Sequence, residues 1–192
     1  MAKTPTVNLE LGYSAPNFQL PNVIGNKQMS FADVAGTKAT VVMFICNHCP
    51  FVVHVMDELI QIGNDYKARG IGFVAISSND VKNYPEDSPE KMAQLASEKN
   101  FPFPYLYDET QEVAKAYTAA CTPDFSVFNS DNACVYRGQL DESRPGNNLP
   151  VNGKDLREVL DLLMEEKAIP SVQKPSIGCN IKWIAGNEPS YY

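Results

Sequence analysis

Two cysteines separated by two residues, Cys46-Asn47-His48-Cys49, carry the most specific chemistry in this chain. That spacing lets the sulfurs close a small disulfide ring, and the thiolate is the nucleophile of thiol–disulfide exchange. Residues 40–45 ahead of the pair form an unbroken apolar, β-branched run, the mark of a strand buried on both faces. Behind the pair, Pro50 opens a stretch with Val52, Val55, Met56, Leu59, Ile62 and Tyr66 at helical spacing. A dithiol passed from a buried strand to a helix start lies among unpaired N–H groups at the positive end of the helix dipole. Free cysteine titrates near ~8.5, and such sites lower it to roughly 3.5–7.5. The sequence therefore places Cys46 at an exposed lip as nucleophile and Cys49, one turn inside, as resolving thiol. His48 stands between them, where an imidazolium would stabilise the Cys46 thiolate.

Metal chemistry fits these residues less well. Structural zinc takes four ligands from two separated pairs, and the sequence has no second pair of that spacing. His54 falls on the polar face of the helix, where a solvated histidine is expected. Haem attachment needs a histidine after the second cysteine, and Pro50 stands there. No metal and no cofactor is expected. Of the other cysteines, Cys121 and Cys179 are candidate additional thiols, although each reads first as a packed residue. Cys134 opens a strand and reads as core.

The elements that position the dithiol follow from pattern. Turn formers between residues 11 and 38 outline a small hairpin and a helical turn. The helix after Pro50 stops near Arg69-Gly70, and Ile71–Ser77 reads as a second buried strand. Ser88-Pro89 caps a second helix. Residues 104–107 read as a short strand with Phe101, Phe103, Tyr105 and Tyr107 as core, and residues 111–117 as a short helix. Residues 125–129 and Cys134–Gly138 read as a hairpin, and Lys154–Met164 as a last helix. Arg137, Asp141, Glu142 and Arg144 read as a solvated, salt-bridged loop. Beyond Glu166 the Pro- and Gly-rich tail is expected to lie extended on the surface. The alternation implies an α/β layer fold with right-handed crossovers.

Composition sets the outer bounds. The 192 residues suit one domain, 1–192, with a core of roughly residues 10–165 and a tail over 166–192. The net charge is -7 and the basic residues are scattered, which argues against nucleic acid and anionic membrane as partners. The N-terminal residues hold no apolar signal core, so a cytoplasmic protein is expected. Cytosolic disulfides are usually transient and catalytic, which turns five cysteines toward chemistry rather than stapling.

Three stretches together carry a family likeness: Ala15-Pro16-Asn17-Phe18-Gln19-Leu20, the strand entering Cys46-Asn47-His48-Cys49-Pro50, and Thr122-Pro123-Asp124-Phe125 before a hairpin. They resemble the thioredoxin superfamily, and more closely its peroxiredoxin-like branch, the alkyl hydroperoxide reductase/thiol-specific antioxidant group. The stretch Pro175-Ser176-Ile177-Gly178-Cys179-Asn180-Ile181-Lys182-Trp183 is similar to the tail of a thioredoxin-like subfamily in that branch. The resemblance implies a thioredoxin fold with an N-terminal hairpin extension and a C-terminal tail, and thiol redox chemistry. It implies a cis bond at Thr122–Pro123 facing the dithiol, with Asn47 and Thr122 on the substrate side. Two departures stand out. The strand before the dithiol lacks thioredoxin's buried acid, so proton transfer at Cys49 must be handled otherwise. The peroxiredoxin Thr-x-x-Cys pattern has Cys46 in place of its Thr and Cys49 in the peroxidatic position, and no arginine stands near Cys121-Thr122-Pro123.

Three functions compete. The first is a thiol–disulfide oxidoreductase acting on protein or small-molecule disulfides. The second is a thiol peroxidase, with Cys49 or Cys46 oxidised to a sulfenic acid. The third is a binding protein that senses redox state or handles a metal without turnover.

Overall fold

A computed structural model describes residues 3–191. The chain runs through β1 (Lys3–Pro5), β2 (Gln19–Pro21), β3 (Gln28–Ser30), α1 (Phe31–Val34), β4 (Ala39–Phe44) and α2 (Pro50–Lys67). It continues through β5 (Ile71–Ser77), a 3₁₀ turn (Pro85–Asp87), α3 (Pro89–Glu98), β6 (Tyr105–Tyr107), α4 (Glu112–Ala116) and β7 (Cys121–Thr122). The last elements are β8 (Asp124–Asn129), β9 (Cys134–Gly138), α5 (Lys154–Met164) and β10 (Ile177–Asn180).

The main sheet has the order β6-β5-β4-β8-β9. Strands β4, β5 and β6 are parallel, while β8 and β9 are antiparallel to their neighbours. Every residue of β4 is buried, as a central strand with both faces covered requires. Its side chains alternate: Val41 and Met43 join the core packed on α2, α3 and α5, whereas Val42 and Phe44 join the core under α1 and α4. The apolar stripe read from the sequence of α2 is the buried face found, with Val52, Val55, Met56, Leu59, Ile62 and Tyr66 inside. Ser88 caps α3 by accepting the Lys91 N–H, and Phe103, Tyr105 and Tyr107 are core residues. This is the α/β layering expected from the alternation of elements.

The tail departs from expectation. Instead of lying on the surface, it inserts β10 between β1 and β7 in a second, three-stranded antiparallel sheet. Cys179, Ile181 and Trp183 are buried. The tail needed two partners distant in sequence, and short strands with few apolar residues leave little periodicity to read. The end of β9 and the loop after it also depart. Arg137 and Asp141 are buried, because each finds enough partners to replace water. Arg137 donates to Ser126 Oγ and to the carbonyls of Val7, Tyr117 and Thr118, and its Nη2 lies 3.4 Å from Asp124 Oδ2. Asp141 accepts from the N–H groups of Ser143, Asn152 and Gly153.

Candidate functional site

Strand β4 ends at Phe44, and five residues later Cys49 stands at the N-cap of α2, with Pro50 opening the helix. Between them Asn47 and His48 bulge toward the surface and are half-buried. The Thr122–Pro123 bond is cis, as the sequence reading expects. Thr122 lies across the dithiol: its hydroxyl is 3.5 Å from Cys46 Sγ, and its carbonyl oxygen is 3.1 Å from Cys49 Sγ. None of the five cysteines is joined in a disulfide.

The expected exposed lip is absent. Cys46 is only 1% exposed and Cys49 0%. Cys46 is closed in by Thr122 and by an anchored turn, since Asn47 is tied down at both ends. Its side chain donates to the Glu86 carbonyl and accepts from the Tyr105 hydroxyl. His48 is also placed differently from expectation. Its Nδ1 lies 2.7 Å from Asp87 Oδ2, and its ring stacks on Tyr84 with centroids 5.5 Å apart. It therefore faces a carboxylate rather than acting alone on Cys46.

Asp87 is the residue the sequence did not reveal. It is fully buried on the 3₁₀ turn and accepts from the N–H groups of Asn47 and His48 and from Asn79 Nδ2. In the sequence it lies in Tyr84-Pro85-Glu86-Asp87-Ser88-Pro89, which reads as an ordinary solvated turn before a helix cap. It sets a buried carboxylate beside Cys46, on an element other than the strand before the dithiol.

The two sulfurs titrate as a pair that shares a proton. A hydrogen bond from Cys46 pulls Cys49 down to about 4, against the cost of burial, with further help from Cys179 and Thr122. The Cys46 thiol is pushed well above its ordinary value by that same hydrogen bond, by burial and by Asp87. When Cys49 does hold the proton, the Thr122 carbonyl is in place to accept it. The arrangement thus accommodates one thiolate on either sulfur.

The remaining candidates separate. Cys121 is buried on β7, its sulfur faces the Pro123 carbonyl at 3.6 Å, and burial pushes its thiol well up. Cys179 is carried by β10 to the dithiol, where its thiol hydrogen bonds with Cys49. His54 is not solvated at both ring atoms: its Nε2 is buried without a hydrogen-bond partner. Among the described residues, Cys46, His48 and Asp87 offer ligand atoms within 4.8 Å of one another, although His48 Nδ1 already faces Asp87. No described helix is long and apolar enough to cross a membrane.

Known proteins resemble this chain in sequence and in fold. The crystal structure of an uncharacterized conserved protein from Geobacillus kaustophilus is 58% identical, with a TM-score of 0.94 over 96% of this chain and 97% of that one. "Putative peroxiredoxin Rv2521" of Mycobacterium tuberculosis is 30% identical over 116 residues, 60% of this chain and 68% of its own length. A thiol:disulfide interchange protein of the thioredoxin family from Chlorobium tepidum TLS is only 16% identical, yet superposes with a TM-score of 0.62 over 82% of this chain and 99% of that one, which shows a shared thioredoxin fold. Residues 11–137, which hold the dithiol, Asp87 and the cis-proline turn, match the AhpC/TSA family model, and this chain belongs to the AhpC/TSA family.

Proposed function

We propose that the protein is a thiol–disulfide oxidoreductase in which Cys46 attacks and Cys49 resolves. The observation that carries the reading is Thr122 spanning the two sulfurs, with its hydroxyl on Cys46 and its carbonyl on Cys49. A disulfide substrate arriving over half-buried Asn47 and His48 meets Cys46 first, because Cys49 is enclosed by Cys46, Thr122 and Cys179. Cys46 passes its proton to Cys49 across their hydrogen bond. The Cys49 thiol then donates a hydrogen bond to the Thr122 carbonyl, while the Cys46 thiolate accepts one from the Thr122 hydroxyl. Attack on the substrate forms a mixed disulfide with Cys46 and expels the first substrate sulfur as a thiolate, which takes the proton from Cys49 and leaves as a thiol. Cys49 then attacks the Cys46 sulfur, releases the second and leaves a Cys46–Cys49 disulfide. The substrates are protein or small-molecule disulfides, and the compartment is the cytoplasm, where such disulfides are transient.

Insulin reduction driven by dithiothreitol tests this. Cys46→Ser abolishes turnover, and Cys49→Ser accumulates a mixed disulfide on Cys46. Retained turnover in Cys46→Ser, or trapping on Cys49 instead, refutes the assignment. A second reading, peroxide reduction by Cys49, is favoured by the hydrogen bonds that hold a thiolate on that sulfur and by membership of the AhpC/TSA family. Peroxide consumption with a thiol donor, surviving in Cys46→Ser and lost in Cys49→Ser, would establish it in place of the first.

A further inference from the structure

We infer that Cys179 is a third redox thiol, held by β10 against Cys49 so that the Cys46–Cys49 disulfide isomerises to a Cys49–Cys179 disulfide. The inference rests on the dithiol reading above and extends it. Three observations place Cys179. Strand β10 is the middle strand of its sheet, so Cys179 is fixed opposite Lys3 on one side and Thr122 on the other. Gly178 lets the strand come into backbone contact with Thr122: a Cβ there would lie 1.9 Å from the Thr122 carbonyl oxygen. From this position the Cys179 thiol hydrogen bonds the Cys49 sulfur, one of the two atoms of the working disulfide.

The flanks of the strand are anchored as well. Ser176 Oγ donates to the Pro123 carbonyl at 2.6 Å. At the other end, the Lys182 N–H donates to Asn79 Oδ1, and the Lys182 carbonyl accepts from Asp80 N–H and Gln111 Nε2. Asn79 also donates to Asp87, so the tail and the dithiol turn share one support. A residue that merely filled space would not need its sulfur set on the resolving thiol by anchors on both sides.

The step is an exchange without net oxidation. The Cys179 sulfur bonds to Cys49 sulfur, the Cys46–Cys49 bond breaks, the electron pair leaves on Cys46, and Cys46 takes the proton that Cys179 releases. Reactivity follows the state of Cys49. In the reduced protein the Cys179 thiol is pushed up to about 12 by burial first, and then by its hydrogen bond to Cys49 and by the charge there. Once Cys49 is tied in a disulfide, its charge is gone, and Lys182 remains as a cation that favours the Cys179 thiolate. The result is a stored disulfide beneath β10 and a Cys46 thiol free for a second substrate.

The test oxidises the reduced full-length protein with oxidised glutathione, quenches with acid at intervals, alkylates and maps tryptic peptides. Cys46 and Cys49 share the segment 39–67, and Cys179 lies in 168–182. In the wild type, an internal disulfide in 39–67 appears first. It is followed by a cross-link from 39–67 to 168–182 in which Cys46 is alkylated. Cys46→Ser keeps the cross-link and Cys179→Ser loses it, which locates the bond. The wild type decides the matter. If the internal disulfide forms and Cys179 stays alkylated at all times, the relay is wrong and the dithiol reading stands. If neither link forms, the dithiol reading fails and the relay falls with it. A cross-link from Cys179 to Cys46 also overturns the relay.

Discussion

Cys46 and Cys49 differ in what surrounds them rather than in kind. Cys49 collects hydrogen bonds from Cys46, Cys179 and Thr122, and Cys46 faces the buried carboxylate of Asp87. One proton therefore leaves the pair easily and the other is retained. In the reduced protein, ultraviolet thiolate absorbance should rise with a midpoint at about 4 and hold at one thiolate through neutral pH. Cys49→Ser should remove that low transition. Absence of thiolate absorbance until about pH 8, the free-cysteine range, would contradict the geometry. The sign for stability follows. The folded value of Cys49 lies below the unfolded one, so the unfolded chain binds more protons between them. This contribution is complete above the unfolded value and is lost as acid takes the pH down through about 4.

At the scale of elements, the site is a junction. The turn from β4 into α2 supplies both sulfurs, the 3₁₀ turn supplies Asp87, and β7 and β10 close the far side. Strand β10 has the tightest tolerance. Nothing but hydrogen fits at Gly178, because the atom met there is the backbone oxygen of Thr122, which cannot swing away. Gly178→Ala should therefore cost about 1–3 kcal/mol, the usual penalty of overpacking. Urea unfolding of the reduced protein measures this, and a loss below about 0.5 kcal/mol would mean that the strand shifts freely. The neighbouring helix α2 tolerates more, since its exposed face, with Val53 61% exposed, bears no such contact.

Across the whole molecule, a buried ion pair within the main sheet is tied to the N-terminal segment. Arg137 on β9 and Asp124 on β8 have side chains 4% and 1% exposed. Arg137 also reaches the Val7 carbonyl from β9, and Thr6 Oγ1 donates to Asp124 from the N-terminal side. Burial raises the Asp124 carboxyl from its ordinary value while Arg137 pulls it down. Removing one partner strands the other in a dry site. Arg137→Ala should destabilise the fold by about 3–5 kcal/mol, read from thermal or urea unfolding. A loss of less than about 1 kcal/mol would show that water enters and relieves Asp124.

Local pattern was sufficient wherever one element carries its own signal. The apolar run of β4, the stripe of α2, the Ser88-Pro89 start of α3, the β8–β9 hairpin and the spacing of Cys46 and Cys49 are all set by neighbours in sequence. Burial on one face or two leaves a period in the residues themselves. The Thr122–Pro123 turn was legible through the family likeness of its residues. Tertiary structure alone decided the rest. Asp87 reads as a turn acid until folding stacks its turn on Asn47 and His48, and only burial makes its carboxylate matter to Cys46. Arg137 reads as a surface cation until carbonyls from distant segments surround it. The tail reads as a loose strap until β1, near the N-terminus, and β7, in the second half of the chain, pair with β10 and deliver Cys179 to Cys49. These contacts join residues separated by tens of positions. Short strands and single polar groups leave no period, so only closure of the fold determines which water each of them gives up.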